Sequence, residues 1–180
     1  MSGFVIRAKT AVVTGAPGAG KTALIEELAA RGLRVVPEAA RAILREPGGM
    51  ELRADNPLGF ARAMIAREIC SLAAVCDDDR WTVFDRGLGD SLGFLRLSGL
   101  AVPADLEAQL VEWRYSGPVF VALAWNAIFR NDSERVQDWA EAQASGSAVI
   151  EAWSEAGYPL VELPFGMVGE RADFVISNLG

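Results

Sequence analysis

Short apolar runs and longer amphipathic segments alternate along this chain. The apolar runs predict five strands, at residues 10–14, 33–37, 81–84, 119–123 and 160–163. Apolar residues spaced three and four apart predict helices between them, most clearly over residues 22–30, 39–45, 58–75, 103–113 and 138–155. Residues 50–57, which follow a Pro-Gly-Gly break, are expected to form a loop. Strands that alternate with helices predict a three-layer α/β fold with a mostly parallel five-stranded sheet.

The stretch between the first predicted strand and the first predicted helix carries the most specific motif. It reads Gly15-Ala16-Pro17-Gly18-Ala19-Gly20-Lys21-Thr22 and matches the phosphate-binding P-loop pattern G-x-x-x-x-G-K-[ST]. Glycines let the backbone approach a polyphosphate closely, and N–H groups at a helix N-terminus favour an anion. Lys21 can follow the β- and γ-phosphates, and the Thr22 hydroxyl can ligate Mg²⁺. A glycine-rich turn ending in a solvated lysine is the alternative, but the flanking strand and helix favour nucleoside triphosphate binding.

Composition narrows the classes of function that remain. The 180 residues suit one domain over residues 1–180, without an internal linker or repeat. A net charge of −7 argues against a nucleic-acid surface, and no apolar run approaches the ~18 residues of a membrane span. With no histidine, proton transfer falls to carboxylates and metal binding to oxygen ligands, which suit Mg²⁺. The two cysteines lack metal-like spacing, so we expect a cytoplasmic protein.

Two acidic residues follow predicted strands at the sheet edge where the P-loop also begins. Asp85 follows the third strand, as expected for a carboxylate that holds Mg²⁺ together with Thr22. Glu38 follows the second strand and can serve as a general base for, or hydrogen-bond to, a substrate hydroxyl. Glu38 also opens a predicted helix, where a negative charge is favoured for purely structural reasons.

Arginines supply the remaining candidate residues. Arg130 and Arg135 lie in a segment of about residues 125–140 that could form a mobile lid and bring positive charge to a transferring phosphoryl group. They could equally pair with neighbouring acids on a solvated surface. Other arginines could line an acceptor pocket, but spacing does not separate them from surface charge: Arg41, Arg45, Arg62 and Arg67. The tryptophans at 125, 139 and 153 are expected to fill the core or pack the lid.

Five motifs in this order resemble a known family. They are VPEAAR at 36–41, FDRGLGDS at 84–91, FRNDSER at 129–135, GYPLVELP at 157–164 and ERADF at 170–174. With the P-loop, they resemble the "AAA domain" family of predicted ATPases that includes the ribosylnicotinamide kinase domain of the NAD-biosynthesis regulator NadR. The resemblance implies a nucleotide-kinase-like P-loop NTPase architecture. It assigns Glu38 and Asp85 to the acceptor and magnesium side, Arg130 and Arg135 to the lid, and residues 164–169 to a loop near the donor base.

The leading hypothesis is therefore an ATP- and Mg²⁺-dependent kinase of a small hydroxyl-bearing metabolite, such as a nucleoside. In this scheme Lys21, Glu38, Asp85, Arg130 and Arg135 are catalytic. The small-molecule phosphate acceptor is the expected partner, with no nucleic acid. The alternative is a stand-alone ATPase or nucleotide-dependent switch with a protein or lipid partner. The missing Asn-Lys-x-Asp guanine signature favours ATP over GTP.

Overall fold

Five short strands form a single sheet in the computed structural model, which describes residues 8–125 and 139–180. The strands are β1 (Thr10–Gly15), β2 (Arg34–Val36), β3 (Thr82–Asp85), β4 (Val119–Ala122) and β5 (Leu160–Glu162). Their order is β2-β3-β1-β4-β5, with β1 at the centre. All four pairings are parallel, so the sheet is entirely parallel where the sequence predicted a mostly parallel one. The carboxyl ends of all five strands therefore lie at one edge.

Helices cover both faces of the sheet. Their bounds are α1 (Lys21–Ala30), α2 (Ala39–Leu44), α3 (Gly49–Asp55), α4 (Pro57–Ala73), α5 (Leu88–Leu97), α6 (Ala104–Glu112), α7 (Trp139–Glu155) and α8 (Val168–Leu179). One core lies between the sheet and helices that include α4 to α7. A second core lies on the opposite face, between the sheet and helices α1 and α8. The three-layer α/β prediction is confirmed. None of the helices within the described ranges is long and apolar enough to cross a membrane.

The expected loop at 50–57 is wrong, because these residues are almost entirely helical. Gly48 has a φ of 79°, and helix α3 begins directly after it. Asn56 alone separates α3 from α4, and its side chain caps α4 by accepting a hydrogen bond from the Gly59 N–H at 2.9 Å. Pro57 occupies the first position of α4, where its missing N–H costs nothing. Gly48, which belongs to the break that suggested a loop, is therefore a helix-boundary residue, as is Pro57.

Helix α5 packs closely against α7, and α5 begins at the sheet edge where the carboxyl ends of the strands lie. A Cβ on Gly89 would lie 2.5 Å from the ring of Trp153, and one on Gly93 would lie 2.9 Å from the Val149 Cα. Both α5 positions therefore need glycine at this helix separation. Trp153 is fully buried, as expected for a core tryptophan.

Candidate active site

The predicted P-loop connects β1 to α1 at the carboxyl edge of the sheet. Gly18 and Gly20 have φ of 75°, a left-handed conformation that glycine adopts without strain. Gly15 has a φ of 120°, and a Cβ there would lie 2.1 Å from the Ala122 carbonyl oxygen on β4. The Ala16 N–H donates to that same oxygen at 2.9 Å. The strand-loop-helix context expected of the motif is therefore present.

Lys21 is buried at the start of α1. Its ammonium donates to the Ala16 carbonyl at 2.6 Å and to the Gly15 carbonyl at 3.1 Å. Burial, with a smaller contribution from the positive charge of Arg86, lowers the pKa of Lys21 from 10.5 to about 7. An anion beside this group would stabilise its protonated form.

Arg86 joins Glu38 and Asp90 into one network of ion pairs. It has a φ of 67°, a left-handed conformation that is uncommon for a residue with a side chain. Its Nε lies 3.3 Å from Glu38 Oε1, and its Nη1 lies 2.7 Å from Asp90 Oδ1. Burial alone would lower the pKa of Arg86, but the charges of Asp90 and Glu38 raise it above its usual value. Glu38 also lies 3.6 Å from Arg41.

Asp90 is a central residue of this edge that the sequence analysis did not single out. Its carboxylate accepts hydrogen bonds from the Thr14 hydroxyl at 2.6 Å, from Arg86 at 2.7 Å, and from the Gly87 N–H and the Trp153 indole, both at 3.1 Å. Its position three residues after Gly87 could have identified it in the sequence, because an acid at that position accepts a hydrogen bond from the free N–H at a helix start.

Asp85 and Thr22, the two predicted magnesium ligands, line the same cleft, which has a volume of about 640 Å³. Burial and the neighbouring charge of Glu38 raise the pKa of Asp85, while Arg86 and Lys21 oppose the rise. Among the described residues, no three His, Cys, Asp or Glu side chains form a metal cluster. Mg²⁺ in a nucleotide site needs fewer protein ligands, because phosphate oxygens complete its shell. The glycine cradle and this hydroxyl–carboxylate pair fit a magnesium–triphosphate complex.

The cleft continues from the P-loop to a wall built by α2, α3, α4 and α5. This wall combines apolar side chains with two arginines: Ala40, Arg41, Leu44, Arg53, Phe60, Met64, Phe94 and Leu97. Arg53 lies on α3, in the segment wrongly expected to be a loop, so the sequence analysis missed it.

Of the four arginines proposed for the acceptor pocket, only Arg41 lines this cleft. Arg62 pairs with Asp105 at 2.6 Å, and Arg67 pairs with Glu46. Arg45 is exposed outside the cleft.

The predicted lid falls largely outside the described residues. Arg130 and Arg135 lie there, so their proposed role stays a prediction. The segment 164–169 crosses the start of α8, and its Phe165 ring lies 5.2 Å from that of Trp125, measured between centroids.

Glu68 on α4 is a buried acid behind the site. The Tyr115 hydroxyl donates to its Oε2 at 3.3 Å. Burial, reinforced by the negative charge of Asp90, raises the pKa of Glu68 from 4.5 to about 8. At neutral pH this carboxyl therefore holds its proton.

Solved structures with a similar architecture include nucleoside and nucleotide kinases. A deoxyadenosine kinase from M. mycoides with bound dATP superposes with a TM-score of 0.69 at 14% identity, covering 94% of this chain and 98% of that one. A thymidylate kinase from Ehrlichia chaffeensis gives 0.64 at 11% identity, covering 96% and 99%. A NadR protein in complex with NR gives 0.70 at 16% identity, covering 97% of this chain and 52% of that one.

The fold and the loop at its edge thus define the fold class, a parallel α/β P-loop fold like that of nucleoside and nucleotide kinases. The profile of the AAA domain family matches residues 10–171, and the chain belongs to that family. The resemblance noted in the sequence is confirmed. Among curated proteins, none matches the chain.

Replacing Asp90 by asparagine tests the buried network. In Asp90→Asn the amide would face N–H donors, and the buried Arg86 would lose a charged partner. We expect the free energy of unfolding to fall by about 3 kcal/mol, as for other broken buried ion pairs. Asp105→Asn is the matched control, because its pair with Arg62 is exposed to solvent and should contribute much less to stability. Urea unfolding measures both, and equal losses would contradict the assignment.

The raised pKa of Glu68 predicts a pH-dependent contribution to stability. Between pH 4.5 and 8 the unfolded chain releases this proton while the folded chain keeps it. Stability from this group therefore falls as pH rises through that window, by up to about 1.4 kcal/mol per pH unit. Glu68→Gln should remove this slope, and the exposed Glu107→Gln should not. Unfolding curves measured across the window check this, and parallel pH profiles for wild type and Glu68→Gln would refute it.

Proposed function

We propose that this protein is an ATP- and Mg²⁺-dependent phosphotransferase that acts on a small hydroxyl-bearing metabolite, such as a nucleoside. One observation carries the proposal: a single cleft contains both the P-loop and a separate wall of apolar and charged side chains. A plain ATPase needs the first part only, whereas a kinase needs a second compartment for the acceptor. The fold shared with nucleoside and nucleotide kinases supports this reading. The proposed setting is the cytoplasm.

The P-loop would hold the donor phosphates. Its backbone N–H groups at the start of α1 favour an anion, and Lys21 adds a charge that the phosphates would keep protonated. Thr22 and Asp85 would hold Mg²⁺, which when bound neutralises the developing charge on the phosphate oxygens. The two lid arginines, Arg130 and Arg135, are proposed to add positive charge to the transferring group.

Glu38 is the residue proposed to act on the acceptor. It lines the cleft beside Arg86 and Arg41, on the side of Asp85. In the proposed step the acceptor hydroxyl oxygen forms a bond to the γ-phosphorus, and the bond from that phosphorus to the β–γ bridging oxygen breaks. ADP leaves, and the hydroxyl proton passes to Glu38 or to water. Glu38 can also fix the hydroxyl by hydrogen bonding without taking its proton.

The chain contains only two lysines, which supply a matched pair of variants. Lys21→Ala should reduce phosphate transfer at least about 100-fold, because it removes a charge that stabilises the transition state. Lys9→Ala should leave transfer unchanged, since Lys9 forms an exposed ion pair with Asp79. Mass spectrometry of a metabolite panel incubated with ATP and Mg²⁺ measures the products.

Two outcomes would count against the proposal. ATP consumption without any phosphorylated product would identify an ATPase or a switch. Equal transfer by Lys21→Ala and wild type would show that the P-loop is not the donor site.

A further inference from the structure

The wall of the cleft that is built by α2, α3, α4 and α5 contains positive charge that no carboxylate among the described residues fully neutralises. Of the arginines in residues 8–125 and 139–180, only Arg45 and Arg53 form no ion pair or hydrogen bond with another described residue, and Arg53 lines the cleft. Arg41 lines it too, and the carboxylate with which it forms an ion pair at 3.6 Å, Glu38, is shared with Arg86 at 3.3 Å. The remaining cleft cations are already engaged, Arg86 by Glu38 and Asp90, and Lys21 by the P-loop carbonyls.

The rest of this wall is apolar. Phe60 and Phe94 meet edge to face with their ring centroids 5.4 Å apart. Met64, Leu44 and Leu97 extend the same surface. A planar ring gains contact area and favourable aromatic geometry against such a surface.

We propose that the acceptor is an anionic, ring-bearing metabolite, whose phosphate or carboxylate is bound by Arg53 and Arg41. This rests on the proposed function. The cleft also contains Glu38, Asp85 and Asp90, and the chain has a net charge of −7, so an anion would be repelled without local positive charge. The two arginines on α2 and α3 supply it, because a guanidinium binds either anionic group through paired hydrogen bonds.

Binding can be tested without turnover, with the donor site filled by AMP-PNP and Mg²⁺. Thermal melting then compares nucleosides with the matching 5′-monophosphates and 5′-carboxylates as probes. We expect at least tenfold tighter binding of an anionic member than of its neutral nucleoside. A gain for both anions indicates a general anion site, and a gain for the monophosphate alone indicates a phosphate site.

Charge reversal identifies the residue responsible. Arg53→Glu should weaken binding of the anionic probe at least tenfold while leaving the neutral nucleoside unchanged. Arg45→Glu is the control, because Arg45 is also an unpaired, exposed arginine but lies outside the cleft. Equal affinity for neutral and anionic probes, or no effect of Arg53→Glu, overturns the proposal. An Arg53-dependent anion that is never phosphorylated would overturn the kinase function and leave this site standing.

A second observation concerns Arg171 on α8. Its side chain is only 5% exposed, yet no carboxylate among the described residues pairs with it. Its Nε has no hydrogen-bond partner there, and its Nη1 donates to the carbonyl of Ala19 in the P-loop at 2.9 Å. Burial lowers the pKa of Arg171. A buried cation without a counter-charge destabilises a fold unless something else compensates it.

The hydrogen bond to Ala19 has a consequence for the next residue. In a trans peptide the C=O of one residue and the N–H of the following residue point in opposite directions. When Arg171 holds the Ala19 oxygen toward α8, the Gly20 N–H therefore points away from α8. Gly20 lines the cleft, has the left-handed φ of 75°, and donates this N–H to no acceptor within the described chain.

The geometry assigns Arg171 as a positioning residue of the P-loop, which fixes the Gly20 N–H for a polyphosphate whose charge compensates the buried guanidinium. This rests on the nucleotide-binding part of the proposed function. A residue with this role lowers the stability of the nucleotide-free protein and raises the stability of the nucleotide complex. A purely structural arginine would strengthen both.

Arg171→Met separates the two roles, because it keeps the side-chain length and removes the charge. We expect the melting temperature without nucleotide to stay the same or rise, and the affinity for magnesium–ATP, measured by calorimetry, to fall at least tenfold. Arg171→Lys should restore part of the affinity. Arg31→Met is the control, since Arg31 lies at the same α1–α8 contact but is paired with Glu27 and Asp173.

The outcomes are distinct. A variant Arg171→Met that loses stability and keeps its affinity overturns the assignment. If both fall, Arg171→Lys decides: recovered affinity supports the assignment, and recovered stability alone overturns it. A wild-type protein that binds ATP without transferring phosphate leaves the assignment intact and refutes the kinase activity.

Discussion

The carboxylate of Asp90 connects three parts of the structure that would otherwise be independent. It accepts hydrogen bonds from Thr14 on β1, from Arg86 and Gly87 between β3 and α5, and from Trp153 on α7. A buried carboxylate is tolerated only when such donors replace its lost water. Because these donors come from separate elements, the positions of the P-loop strand, the Asp85–Arg86 turn and α7 depend on one another.

Charge in the cleft follows from this arrangement. Asp90 and Glu38 pair with Arg86, and burial together with the positive charge of Arg86 lowers the pKa of Lys21. At the base of the cleft Arg86 is therefore compensated by Glu38 and Asp90, and Lys21 is bonded to the P-loop carbonyls. Two further arginines that lack a carboxylate partner among the described residues lie around this base, Arg53 on the outer wall and Arg171 behind the P-loop. Their positions match the two ends at which a phosphoryl acceptor and a phosphoryl donor would enter.

Much of the fold could be predicted because its signals are local. Each strand is a short apolar run, and the P-loop carries its own glycines, lysine and threonine in sequence. Where the prediction was wrong, at residues 50–57, the preceding Pro-Gly-Gly break at 47–49 was taken as the start of a loop. Glycine also suits a helix end, and the helical course of this segment depends on the capping of α4 by Asn56 and on the packing of α3 against α4. A window of neighbouring residues does not contain that information.

The parallel α/β architecture, the P-loop and the acids that follow β2 and β3 could be read from the amino-acid sequence, because each depends on residues adjacent in the chain. Which distant residues meet at that edge depends on the packing of the helices and strands. Arg41 and Arg53 line the cleft, whereas Arg62 and Arg67 each form an ion pair with an acid on the surface. Asp90 and Arg171 lie against the P-loop region. The physical reason is that burial and charge pairing are properties of residues far apart in sequence, and an arginine has the same local pattern whether it faces a ligand, an acid or water.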